Sequence, residues 1–127
     1  MGGLLTFTNA FGALNTGILN SLSITSKTVQ TTGLKAYVFN ANPSSTTWTD
    51  HAAPAINAAD VSKLVGVFNL GNPDSGLGTH TVWTLDGIAK SMTAGGTSLY
   101  VVLVVTGTPT FTSTTDIVVT ASVLKDG

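Results

Sequence analysis

The chain contains no cysteine, no glutamate and no arginine. Without cysteine there is no disulfide framework, no thiolate nucleophile and no cysteine-ligated zinc, so the fold must rest on packing and backbone pairing. Without Glu and Arg it lacks two of the good helix formers. All six acids are Asp, all five bases are Lys, and charged residues make up 9% of the chain, against roughly 25% in an average globular domain. No basic cluster is available to neutralise phosphates, which argues against a nucleic-acid partner. The longest apolar run, Leu99 to Val105, has seven residues, far short of a bilayer span, so no membrane partner is expected. The first Lys is Lys27, and the opening apolar residues lack the basic flank of a signal peptide. Met1-Gly2 followed by Thr6 fits the loose N-myristoylation pattern, without the polybasic support that would make it an anchor.

What fills the space is threonine, with 22 copies in 127 residues. Thr and Val favour strands. A length of 127 residues suits one domain with a real core. A Thr-, Ser- and Asn-rich surface with so little charge is poorly protected against association, which suggests a protein that works docked onto something.

Read in order, LLTFT (4–8) can pair as a short strand, and NAFGALNTG (9–17) reads as an arm or irregular crossing. Residues 1–16 are thus an N-terminal arm or first short strand, and 17–127 a single β-sandwich domain. Phe7 and Phe11 either plug one end of the core or belong to an arm that docks on a partner. ILNSLSIT (18–25) alternates, predicting a half-buried strand with Ile18, Asn20, Leu22 and Ile24 on one face. Leu34 to Ala41 predicts a strand covered on both faces, since Leu34, Ala36 and Val38 oppose Lys35, Tyr37 and Phe39.

Asn40 to Pro54 (NANPSSTTWTDHAAP) is the longest segment without a pattern, and loops beyond ~12 residues in compact domains are usually functional or disordered. Trp48 stands there amid polar residues, either as an interface anchor or folded back to cap the sandwich. Asn57 can cap a short helix over 58–63, with Asp60 suiting its dipole. Leu64 to Leu70 returns as a strand, with Gly66 a bulge or close-contact site. GNPDSGLG (71–78) is turn chemistry that fails the spacing of a calcium loop. THTVWTL (79–85) alternates, DGIAKSMTAGG (86–96) is a connection with a helical turn around 88–92, and Leu99 to Val105 reads as a strand buried on both faces. TGTPTFTSTT (106–115) is a turn-rich crossing, and DIVVTASVL (116–124) alternates again. Six or seven strands with regular turn signals, and no βαβ unit or heptad, predict an all-β antiparallel sandwich, jelly-roll-like, with one short helix near 58–63.

Catalytic patterns are missing from this list. The histidines, His51 and His80, stand in polar surroundings, no G-x-S-x-G elbow is present, and every Asp lies in or beside a turn or helix start. Neither phosphate-cradling glycines nor metal-ligand spacing occurs. The expectation is a non-enzymatic protein with no cofactor and no metal.

The run YVFNANPSSTTWTDHAAPAINAADVSKLVGVFNL, with the C-terminal LYVVLVVTGTPTFTSTTDIVVTASVL, resembles small structural proteins of tailed bacteriophages. The shared pattern is an apolar strand ending in Asn-x-x-Pro, a Thr/Asp loop, an Ala-Ala-Asp helix start, a Leu-Val-Gly-Val strand and a closing hairpin, over 34–124. The resemblance implies a virion β-sandwich, a capsid decoration (cement) protein stabilising the phage head. Its partners would be the major capsid protein or other virion subunits, and its own copies in a homotrimer. It would be assembled in the host cytoplasm and reside in the virion. The motifs are strand and turn patterns and carry no active site. Phe7, Phe11 and Trp48 are the candidate interface residues. The alternative is a receptor- or carbohydrate-binding β-sandwich module of a tail fibre or adhesin.

Overall fold

The computed structural model describes residues 4–48, 54–78, 80–105 and 117–125, with the side chains of 75–77 left out of the description. Among these are nine strands: β1 (Leu4–Phe7), β2 (Thr16–Ser26), β3 (Leu34–Phe39), β4 (Leu64–Gly71), β5 (Asp74–Leu77), β6 (His80–Leu85), β7 (Lys90–Thr93), β8 (Leu99–Val105) and β9 (Ile117–Lys125). A single helical turn, α1 (Ala58–Val61), precedes β4. The strands form two antiparallel sheets. The first has the order β1-β8-β3-β4; the second has β5-β6-β2, with β7 continuing along β2 and β9 on its other side. The protein is an all-β sandwich, with one short helix among the described residues. Five of the eight connections between these strands carry the chain from one sheet to the other, while β3 and β4 are neighbours in one sheet.

The core lies between the sheets. Leu34, Ala36 and Val38 of β3 and Leu99, Val101 and Leu103 of β8 face Leu19, Leu22 and Ile24 of β2 and Trp83 of β6, all removed from solvent. Trp83 keeps its indole N–H satisfied inside this core by donating to the Thr32 carbonyl at 3.0 Å, as a buried Trp requires. The 27–33 connection is tied in by Thr81, whose hydroxyl accepts from the Gln30 backbone N–H at 2.9 Å.

The alternation read into 18–25 breaks at Asn20. Gly17 and Leu19 point inward, then Leu22, Ile24 and Ser26 do, while Ile18 is 39% exposed. Asn20 is an extra residue on β2 relative to β9, where the register jumps between Leu19 and Ser21. Such a bulge flips the facing of everything before it. It also separates two partners along one edge of β2: β6 pairs with 22–26 and β7 with 16–19, while the Asn20 carbonyl accepts from the Ile88 N–H at 2.9 Å.

Two further expectations are corrected. Residues 90–93 form strand β7 rather than part of a helical turn, because left-handed Gly87 and Ala89 turn the chain back onto β2. Within the expected turn 71–78, Asp74–Leu77 pairs with β6. The expected crossing at 106–115 lies outside the described residues.

Candidate functional site

The long connection from β3 to β4 is held down by a small polar network. Asn57 caps α1, its side chain accepting from the Ala59 N–H at 2.9 Å. That turn aims Asp60 inward, and its carboxylate, with no exposed surface, accepts from the Thr46 hydroxyl at 2.6 Å and the Lys63 ammonium at 2.8 Å. Thr46 in turn accepts from the Asn57 backbone N–H at 3.0 Å, and Lys63 also donates to the Asn42 carbonyl at 3.0 Å. Burial pushes the Asp60 carboxyl up. Hydrogen bonds from Lys63 and Thr46, the Lys63 charge and a Ser45 backbone hydrogen bond outweigh it and hold the group below its ordinary 3.8. Asn40 joins loop to sheet: its N–H donates to the Lys63 carbonyl and its side chain to the Thr93 carbonyl.

This clamp sets the position of Trp48. The indole packs edge-on against Phe39, ring centroids 5.8 Å apart at 67°, a favourable aromatic geometry. Phe39 points away from the core, on the outer face of the first sheet, and is fully buried, so the loop acts as its cover. The Trp48 indole nitrogen is buried and has no hydrogen-bond partner among the described residues. An orphaned buried donor is uncommon and costly.

Strand register extends this face. One row runs Leu4, Val102, Tyr37 and Val67 across β1, β8, β3 and β4; the next runs Thr6, Tyr100, Phe39 and Leu64. Val102 is 2% exposed, the two tyrosines are half-buried, and Val67 is 46% exposed at the edge. These two rows are therefore largely apolar and aromatic, with Trp48 against Phe39 of the second, while the neighbouring row of Val104, Lys35 and Asn69 is mixed.

The three sequence candidates end in different places. Phe11 is 2% exposed and part of the core, its ring against Gly17, so it is withdrawn from any outer contact; its N–H donates to the Thr97 carbonyl. Phe7 faces inward opposite Leu99 and packs on the core. Residues 4–7 are a strand of the sandwich, paired with β8, instead of a detached arm. Only Trp48 lies at a face that a partner could reach, half-buried against Phe39. Trp83 offers no aromatic platform, being 1% exposed.

His80 is exposed, with Nδ1 3.1 Å from the Lys27 carbonyl. Asp50 and His51 lie outside the described residues. Among the described residues no group of three His, Cys, Asp or Glu side chains converges as metal ligands would. The sequence reading missed the Asp60 network. Its signal was the spacing of Asn57, Asp60 and Lys63, three apart, which places cap, acid and base on one side of a helical turn. Comparison with protein-family models, with curated proteins and with solved structures finds no match.

Proposed function

We propose that this protein is a non-enzymatic structural protein of a phage virion, a decoration protein that docks on the assembled head through the outer face of its first sheet. The observation that supports the reading is Trp48: a large ring, held by a polar clamp, over an apolar sheet face. Aromatic anchors on a rigid element suit hot-spot binding, because little side-chain entropy is lost on docking. A protein that bridges subunits stabilises a shell by mass action and needs complementarity rather than chemistry. The major capsid protein, or another virion subunit, is the partner in this reading.

The carbohydrate-binding alternative asks for an exposed ring face on which a sugar can stack. Trp48 packs edge-on against Phe39 and is half-buried, which favours the docking reading. The test is co-sedimentation of the purified protein with phage heads lacking it. Truncating 1–16 would remove a paired strand and a core Phe, so the informative variant is Trp48→Ala. Binding to heads that falls at least about tenfold on this substitution supports the proposal, since a hot-spot truncation costs about 2 kcal/mol or more. Unchanged binding to heads refutes the assigned face. Glycan binding lost on Trp48→Ala, without head binding, moves the assignment to the receptor-binding module.

A further inference from the structure

Sheets leave free edges, and natural proteins protect them by shortness, bulges, proline or charge. Most edges here are protected. β1, β5 and β7 have four residues each. Pro73 precedes β5, whose pairing with β6 is irregular, and β7 opens on Lys90. β4 is longer, but its pairing with β3 shifts register twice, and it carries Gly66 and Gly71.

β9 differs. It has nine residues, Ile117–Lys125, about 30 Å at strand rise. It pairs with β2 on one side, and among the described residues no strand lies on the other. The bulge residue in that pairing belongs to β2, so β9 itself runs regular. Its only charge is Lys125, at its end. Its inward side chains, Ile117, Val119, Ala121 and Val123, touch the core but are only partly buried, and outward Val118 and Leu124 are 52% and 60% exposed.

The pattern is also self-complementary. Val118 and Leu124 lie three residues either side of Ala121. We propose that β9 pairs antiparallel with β9 of a second copy of this chain, about a two-fold axis through Ala121, joining two second sheets into one. In that register Val118 faces Leu124 of the other copy, Val119 faces Val123, Thr120 faces Ser122, and Lys125 faces Ile117, so no like charges oppose. The existing pairing extends these contacts. Ile18 is opposite Leu124 and Thr25 opposite Val118 within one chain, so Ile18, Leu124, and the other copy's Val118 and Thr25 form one continuous row. Symmetry makes a second. Between them run two symmetry-related rows of hydroxyls, each from Ser23 and Thr120 of one copy to Ser122 and Ser21 of the other. Apolar and hydroxyl cross-strand pairs are the units that stabilise a sheet, and backbone hydrogen bonds along a free edge carry the affinity of strand addition. An isologous contact closes at two copies, so this geometry yields a dimer in place of the trimer that the phage resemblance implies. It stands independently of the head-binding proposal.

The test is native mass by light scattering and sedimentation of the full chain, from roughly 1 to 300 μM, the range for a contact of modest area. A concentration-dependent monomer–dimer equilibrium is expected. A monomer throughout, or a trimer, overturns the proposal. Val118→Lys with Leu124→Lys sets like charges opposite each other twice, and should weaken the dimer at least about tenfold. Val118→Lys with Leu124→Asp sets opposite charges there and should restore much of it. Both positions are exposed, and unchanged circular dichroism confirms the fold. A dimer indifferent to both variants refutes the β9 contact. Because the chain has no cysteine, Ala121→Cys gives a single thiol that meets its own copy across the axis, at strand-pair spacing compatible with a disulfide. Covalent dimer on mild oxidation supports the register. Its absence in a dimeric, folded sample rejects that register.

Discussion

The seat of Phe11 against Gly17 tests whether the N-terminal segment belongs to the core. A Cβ added at Gly17 would lie 2.9 Å from Phe11 Cδ1 and 3.0 Å from the Leu124 carbonyl oxygen, so glycine is there for close approach. Phe11→Ala removes a ring that is 2% exposed, and should cost about 3 to 4 kcal/mol from lost burial and residual cavity. Gly17→Ala forces the ring or the neighbouring strand aside, costing about 1 to 3 kcal/mol. In the double variant the ring clash disappears while the Leu124 contact remains. The summed cost should therefore be smaller than the two singles by about 1 kcal/mol, as residues in contact show. Urea unfolding followed by the combined emission of Trp48 and Trp83 measures all four corners of the cycle, at low protein concentration to avoid linkage to self-association. With a slope of about 2 kcal/mol/M, Phe11→Ala should lower the midpoint by nearly 2 M. A cost for Phe11→Ala below about 1 kcal/mol would place the ring outside the core. Additivity within about 0.3 kcal/mol would refute the Phe11–Gly17 contact.

Two other outcomes follow from the polar groups. Because the Asp60 carboxyl is held below its ordinary 3.8 in the fold, its contribution is fully present above about that pH and is lost as pH falls through the lower folded value. The stability gap between wild type and Asp60→Asn, read as urea midpoints at successive pH values, should be constant near neutrality and shrink below pH 3.8; a gap that widens on acidification contradicts the network. Trp83→Phe removes the donor to the Thr32 carbonyl and leaves a small void, costing about 2 to 3 kcal/mol by circular dichroism melts in urea. A cost under about 0.5 kcal/mol would mean that the bond contributes little.

Much of the fold is written locally. The alternation of 34–39 and 117–124, the apolar run 99–105 and the Asn57 cap each act within a few residues, and the strands and helix start lie where those patterns predict. The same patterns give no view of a partner strand. Asn20 reads as one more alternating residue in sequence; it is a bulge because β2 must serve β6, β7 and β9 with one backbone. Residues 90–93 have weak strand signals and become β7 only because β2 has an edge left to pair.

The site divides the same way. Trp48 is legible as an aromatic in a polar loop, but only the Asp60–Thr46 and Lys63 contacts, across up to 21 residues, fix it over Phe39. Phe7 and Phe11 have no periodicity to reveal their direction; pairing of β1 with β8 and the small face of Gly17 turn both inward. The sequence by itself determined composition, class and strand propensity, since these follow from side-chain chemistry and the period of two. Register, bulge position and free edges were decided by tertiary structure, because each depends on which distant backbone arrives alongside. A strand's sequence can show that it will pair on one side; that no strand among the described residues lies on the other side of β9 is a property of the assembled sheet.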